Sequence, residues 1–344
     1  MVEDILIYDV QSGETLDTIG QKVGMTGDQL KEFHNANCEK MDKLWFNNLV
    51  GVRQIIIPKE YKNPEEVRKE KAKELPPASV TRDFYAKKYN IKESFSGLTE
   101  NTFELEYSVD VNFRNKENNL PEEIAEVRCY DFKKNDNTPD DKMSSVALAC
   151  MESIYPIAFL VPMQGKISGI YLFEDLKKRF DNKRPDLEDF YVGEVYQKYL
   201  NKFNQSLSNE EFTVKQLSST LLYQLLFPKM EWFHKTGNWT EAFYLIQNSF
   251  KIKCEMSAEY DHTDSEMVQT FIRGNISDPL SLQELLRGVR FDKEPEEPAD
   301  GEIDFRYTTN KFTKKMTEAE VSLVLKTDNE LYSKQILKLT QNAQ

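Results

Sequence analysis

The sequence predicts an α+β protein: an N-terminal βααβ module, then a larger domain whose antiparallel sheet is long enough to curl into a half-barrel beside a helical insert. Three observations carry this. Residues 5–58 read strand, helix, helix, strand. Residues 103–113 and 250–260 alternate apolar with polar side chains, the period of a strand buried on one face. Between them, residues 187–225 switch to helical spacing.

In the module, Ile5 to Val10 is a short apolar run that reads as a strand, broken by Ser12-Gly13-Glu14-Thr15. Thr15 is a good helix cap, and Leu16, Ile19 and Val23 follow on one face until Gly24 ends the helix. Thr26 opens a second helix, with Gln29 completing a capping box and Leu30 and Phe33 facing inward. Ile55-Ile56-Ile57 is a β-branched strand stopped by Pro58. The predicted core is Val10, Leu16, Ile19, Val23, Leu30, Phe33, Ile55 and Ile57.

The run Tyr8-Asp9-Val10-Gln11-Ser12-Gly13-Glu14-Thr15-Leu16-Asp17-Thr18-Ile19 resembles the opening pattern of LysM domains, Y-x-V-x-x-G-[DE]-T-L-x-x-I. Ile55-Ile56-Ile57-Pro58 is similar to their closing strand, L-x-I-P. The resemblance covers residues 5–58 and implies binding of N-acetylglucosamine-containing glycans such as peptidoglycan. It places the ligand groove at Ser12, Gly13, Glu14, Thr15 and Leu16, facing Asn48, Leu49, Val52 and Arg53. Two positions depart from the pattern. The family's Gly-Gln before the last strand falls on Val52-Arg53, with Gly51 one residue early, and its Asn near the end of the second helix falls on His34, with Asn35 one residue late. The intervening loop carries Trp45 and Phe46, a pair suited to stacking on a sugar or plugging a protein pocket. The alternative, slightly preferred on sequence, is that both pack against the following domain.

Residues 61–80 read as a charged linker, with a helix start at Asn63-Pro64-Glu65-Glu66, a solvated helix to Leu75 and a stop at Pro76-Pro77. The larger domain spans 81–344. Phe103 to Phe113 is its first clear strand and Ile124 to Phe132 its partner. Ser145 to Val161, almost continuously apolar, reads as one or two buried strands, and Ile167 to Phe173 as the next after a turn at Gln164-Gly165-Lys166. Leu187, Phe190, Tyr191, Val195 and Tyr199 form one helical face, and Val214, Leu217, Leu221, Leu222 and Leu225 another, ended by Pro228. Strands resume at 250–260, 267–276, 303–307, 319–325 and 336–339, with an acidic, Pro-containing loop at 292–302 expected to move. This rhythm is loosely similar to that of uncharacterised proteins from Bacteroidetes, a likeness that transfers no residues.

A formal net charge of -13 argues against phosphate-backbone binding, so no nucleic-acid partner is expected. No apolar run is long enough for a membrane helix, and the N-terminus lacks a signal-peptide pattern, so the chain is expected to be cytoplasmic as synthesised, without membrane insertion. The four cysteines are widely spaced and the three histidines form no ligand motif, so neither a metal nor another cofactor is expected. Asp261-His262-Thr263-Asp264 reads as a turn rather than an acid–base group, and Glu231-Trp232-Phe233-His234 as partly buried aromatics rather than a cleft. With no nucleophile elbow, P-loop or dinucleotide glycine pattern, no catalytic residue is expected. The functional expectation is therefore a non-catalytic binding or adaptor protein whose LysM module docks either peptidoglycan or a protein partner. The alternative is a component, effector or adaptor of a contractile injection apparatus, type VI secretion or a phage-tail-like spike or baseplate, which the absent signal peptide and altered Gly-Gln site favour. A third reading is a cell-wall hydrolase held on its substrate by the module.

Overall fold

A computed structural model of the chain describes residues 5–59, 64–97, 102–115, 120–292, 295, 297–327 and 330–342. It divides into two compact units, Met1–Lys73 and Glu74–Gln344.

In the first unit, β1 (Ile5–Asp9), α1 (Leu16–Lys22), α2 (Gly27–Asn37) and β2 (Gln54–Pro58) follow in that order. The strands pair antiparallel from Ile5 opposite Pro58 to Asp9 opposite Gln54. Both helices start on a reciprocal cap: Thr15 exchanges hydrogen bonds with Thr18, and Thr26 with Gln29. The turn between the helices folds back tightly onto Gly20, where a Cβ would stand 2.6 Å from the Met25 carbonyl oxygen. Leu16, Ile19, Leu30, Ile55 and Ile57 are buried, with Val10, Val23 and Phe33 half-buried beside them. Met25, Leu44 and Leu49 complete this small core, two of them from the 38–53 loop, where Leu49 was expected in the ligand groove.

α3 (Pro64–Glu74) spans the division between the units, and its residues 68–73 are exposed. The expected start at Asn63 lies outside the described residues. Residues 74–80, read from sequence as the end of a linker, belong to the second unit: Val80 is buried there and donates its N–H to the Met163 carbonyl at 2.8 Å.

The second unit contains β3 (Lys88–Gly97), β4 (Phe103–Phe113), β5 (Glu123–Lys134), α4 (Lys142–Ile154), β6 (Ile157–Val161) and β7 (Gly169–Ile170). Helices α5 (Phe173–Phe190), α6 (Glu194–Ser206), α7 (Glu210–Ser218) and α8 (Leu221–Leu226) follow. A 3-10 turn at Met230–His234 leads into β8 (Trp239–Tyr244), β9 (Lys251–Asp261), β10 (Met267–Ile276), α9 (Leu282–Arg287), β11 (Asp300–Asn310), β12 (Met316–Thr327) and β13 (Glu330–Gln341). Among the described residues, the strands form one 11-stranded antiparallel sheet in the order β7-β6-β5-β4-β3-β13-β12-β11-β10-β9-β8. The chain is thus α+β with a large antiparallel sheet.

Although β7 and β8 are the sheet's opposite edges, the turn after β6 meets β8. Lys166 Nζ lies 3.2 Å from Glu241 Oε1, and the Met230 N–H donates to the Gln164 carbonyl at 2.9 Å. The sheet therefore curls until its two ends come together. Its inner face needs an apolar filling, and α8 supplies part of it: Leu221, Leu222, Tyr223, Leu225 and Leu226 are all buried, with Gln224 its one polar side chain. Trp232 and Phe233 join Phe243, Phe305 and Tyr307 in an aromatic layer with ring centroids 5.1–6.3 Å apart.

Four expectations are corrected. Ser145 to Val161 is not strand throughout: Asp141 caps α4, whose Val146, Cys150 and Ile154 repeat at helical spacing on the buried side, and only residues after the Tyr155–Pro156 bond form β6. Ile167 to Phe173 contributes only Gly169–Ile170 to the sheet, because Leu172 turns left-handed, φ 51°, and launches α5. The single helical face drawn through Leu187 and Tyr199 breaks at Gly193, φ 129°, and the one through Val214 and Leu225 breaks at Ser219–Thr220. Strands β3 and β8 and helix α9 were not foreseen. The acidic loop at 292–302 falls partly on residues 293, 294 and 296, outside the described residues.

Candidate functional site

The two loops named from the LysM resemblance leave paired strands side by side. The Val10 N–H donates to the Arg53 carbonyl at 2.9 Å, and Gln54 Nε2 to Asp9 Oδ1 at 2.9 Å. Within the first loop, Glu14 does not face solvent as a free acid. It pairs with Lys22 and accepts from the Tyr8 hydroxyl and the Gln11 N–H, each at 2.8 Å. The Lys22 hydrogen bond and these two donors hold its carboxyl down at about 2. Thr15 is committed to its helix cap. Leu16 and Leu49 are core residues, and Val52 packs against that core, so these three offer backbone rather than side chain to the surface. Ser12, Gly13, Asn48 and Arg53 are exposed. Gly13 and Gly51 both have positive φ, +88° and +82°, with nothing within 4 Å of where a Cβ would stand.

On the N-terminal unit Trp45 and Phe46 stand 76% and 74% exposed, and Met41 and Val50 on the same loop are more so. The loop's backbone is nevertheless fixed. Asn35 Nδ2 donates to the Leu44 carbonyl at 2.9 Å and its Oδ1 accepts the Leu44 N–H at 2.7 Å. Lys31 Nζ donates to the Trp45 carbonyl at 3.1 Å, and Asn47 Nδ2 donates to Asp28 Oδ1 at 2.7 Å. His34, at the altered position, is buried. Its Nδ1 accepts the Ile56 N–H at 2.9 Å, which fixes the proton on Nε2, facing the Asp42 carbonyl at 2.9 Å. This histidine ties α2, β2 and the loop together.

In the second unit, the residues weighed for acid–base chemistry have structural partners. Asp261 and Asp264 accept backbone N–H groups of their own turn. His262 Nδ1 lies 2.6 Å from Glu74 Oε2, and Lys311 Nζ 3.1 Å from the same oxygen. Burial raises the Glu74 carboxyl, but these two partners outweigh it and hold the group below its ordinary value. Trp232 and Phe233 are buried, and His234 Nε2 lies 2.8 Å from the Pro76 carbonyl oxygen. Cys129, Cys150 and Cys254 are free and buried, and burial pushes the Cys150 and Cys254 thiols up to about 12. Among the described residues, no group of three His, Cys, Asp or Glu side chains is placed to hold a metal ion, and no helix is long and apolar enough to cross a membrane.

Sequence reasoning missed a cavity of about 470 Å³ between the sheet and helices α4, α6, α7 and α8. Glu93 of β3 lies in its wall. The Glu93 carboxylate accepts from Gln335 Nε2 of β13 and from the Tyr107 hydroxyl of β4. The sequence signal was present: Tyr89, Ile91, Glu93 and Phe95 form an inward-facing alternation interrupted by one acid.

No protein-family model matches the chain, and no curated protein matches it. Among solved structures it is similar to one described as lipid–protein interactions in lipovitellin, with 10% identity and a TM-score of 0.38, over 76% of this chain and 25% of that one. The chain spans about a quarter of that protein's length, and a likeness of this degree carries no argument about function.

Proposed function

We propose that this chain is a non-catalytic adaptor whose N-terminal unit is a LysM-type module that docks a protein partner. One observation carries the reading: Met41, Trp45, Phe46 and Val50 stand exposed on a single loop whose backbone is pinned to α2. Exposed aromatics on fixed backbone lose little conformational freedom on binding, and tryptophan is enriched among the residues that anchor protein interfaces. The assembly proposed is a contractile injection apparatus, with this chain at its spike or baseplate. The second reading, an N-acetylglucosamine-containing glycan, is favoured by the bare backbone at Gly13 and Gly51, which leaves both loop tips open to a sugar.

The test uses the full chain. A photo-crosslinking phenylalanine derivative at position 45 is expected to capture a defined baseplate or spike protein in the producing cell, and sedimentation with insoluble peptidoglycan is expected to leave the protein in solution. Retention on peptidoglycan that is lost on Gly51→Val, with no crosslinked protein, would replace the protein reading with the glycan one.

A further inference from the structure

The cavity beneath the helices has an unusual chemical balance. Aromatic rings reach it from several directions: Phe95 from β3, Tyr107 from β4, Phe132 from β5, Tyr199 and Phe203 from α6, and Tyr223 from α8. Among the described residues that line it, Glu93 is the one charged side chain. Glu93 is 9% exposed and its two polar partners, Gln335 and Tyr107, are both uncharged. Burial pushes its carboxyl above the ordinary range. A buried carboxylate without a counter-charge is costly: it gives up its charge by taking a proton, or keeps it by pairing with a cation. An aromatic face carries negative quadrupole potential, so rings that line a cavity can attract the same cation where they present their faces to it.

Access is provided on one side. Tyr199, Phe203, Ser206 and Gln216 line both the cavity and a surface depression of about 580 Å³ between α6 and α7, where Phe212 is 46% exposed. The inner volume falls in the range that holds a small organic molecule, roughly 300–1,000 Å³.

We propose that this cavity binds an organic cation: an ammonium group carried on an aromatic or alkyl body, with the ammonium against the Glu93 carboxylate among the aromatic rings and the apolar body running toward the α6–α7 mouth. This site is independent of the N-terminal docking loop.

The test is calorimetric titration of the full chain with 4-phenylbutylammonium, its neutral counterpart 4-phenylbutanol and the anion 4-phenylbutyrate. The cation is expected to bind at least about tenfold more tightly than the alcohol, a preference within reach of one desolvated charge contact, and the anion is expected not to bind. Glu93→Gln keeps the side-chain shape and is expected to abolish the preference while leaving the thermal midpoint unchanged or raised. Gln216→Trp, which leaves Glu93 in place, is expected to block binding of the cation by filling the mouth. Equal affinity for cation and alcohol, an undiminished preference in folded Glu93→Gln, or no binding of the cation at millimolar concentration would each overturn the assignment.

Discussion

Replacing Glu241 with glutamine should weaken the second unit by about 3 kcal/mol at neutral pH. The magnitude follows from its surroundings. Glu241 is 9% exposed, with Lys166 Nζ at 3.2 Å, Lys229 Nζ at 2.8 Å and the Trp232 indole N–H at 3.2 Å. Burial alone would raise its carboxyl. Lys166, then Lys229, the Ala242 N–H and Trp232, outweigh it and bring the group from the ordinary 4.5 down to about 2. Such a displacement corresponds to about 3 kcal/mol. Burial also pushes the Lys166 ammonium below its ordinary range, so the pair's net worth is smaller than the Glu241 displacement taken alone. Glu241→Gln adds the opposite effect, because two lysines are left facing each other without their acid. Because the folded-state value is depressed, the contribution is fully present above about pH 5 and fades as pH falls toward 2. Urea unfolding followed by circular dichroism should therefore show a gap of about 3 kcal/mol between wild type and Glu241→Gln at pH 7, narrowing by pH 2. In a unit of this size the thermal midpoint should fall by about 6–12 °C. Adding Lys166→Met to Glu241→Gln should recover part of the loss, since an apolar side chain tolerates the same site. A gap below about 0.5 kcal/mol at pH 7, or one unchanged between pH 7 and pH 2, would refute the reasoning.

Trp45→Ala and Phe46→Ala should each leave folding stability within about 0.5 kcal/mol of wild type while costing about 2 kcal/mol or more in partner affinity, measured by a thermal melt and by titration against the crosslinked partner. His34→Ala removes the bridge between the Ile56 N–H and the Asp42 carbonyl, and should cost the N-terminal unit about 2–3 kcal/mol, seen as faster hydrogen exchange at Ile56. Gly165→Ala should prevent the sheet ends from meeting, because at φ +91° its Cβ would fall on the Pro228 carbonyl; the measurement is the yield of soluble, cooperatively melting protein.

The parts of the fold legible in the sequence are those where one physical rule acts alone. Strands β4 and β9 alternate without interruption, and the caps at Thr15 and Thr26 mark their helices by side-chain chemistry that depends on nothing distant. The run from Ser145 to Val161 was misread because a buried helix and a buried strand look alike when both faces are apolar; the cap at Asp141 was the distinguishing signal. Helix α5 was hidden by Pro185 in its interior and by its left-handed start at Leu172. Strand β3 was missed because Glu93 breaks its inward alternation, and that same residue is the charged member of the cavity. A polar residue on an apolar face is where local rules fail in favour of something else. The cavity itself joins residues from strands and helices far apart in the chain, and no local pattern announces such a meeting. In the N-terminal loops the sequence named the right segments but not which side chains turn inward: Leu16 and Leu49 are core, and Glu14 is held by Lys22.

The middle of the large sheet is the junction of β3 with β13, from Tyr89 opposite Gln341 to Gly97 opposite Ser333. Gln335 and Glu93, which meet there, are 242 positions apart. Every other neighbour in the sheet is adjacent in sequence order, so two meanders can form early from local pairings, while their union waits for the strand that is made last. Closing so long a loop is entropically slow but adds little to its equilibrium cost, because that cost grows only with the logarithm of length. During synthesis, β3 is therefore an unpaired edge for as long as the intervening strands and helices take to emerge, and the cavity wall that Glu93 and Gln335 share is among the last features of the unit to exist.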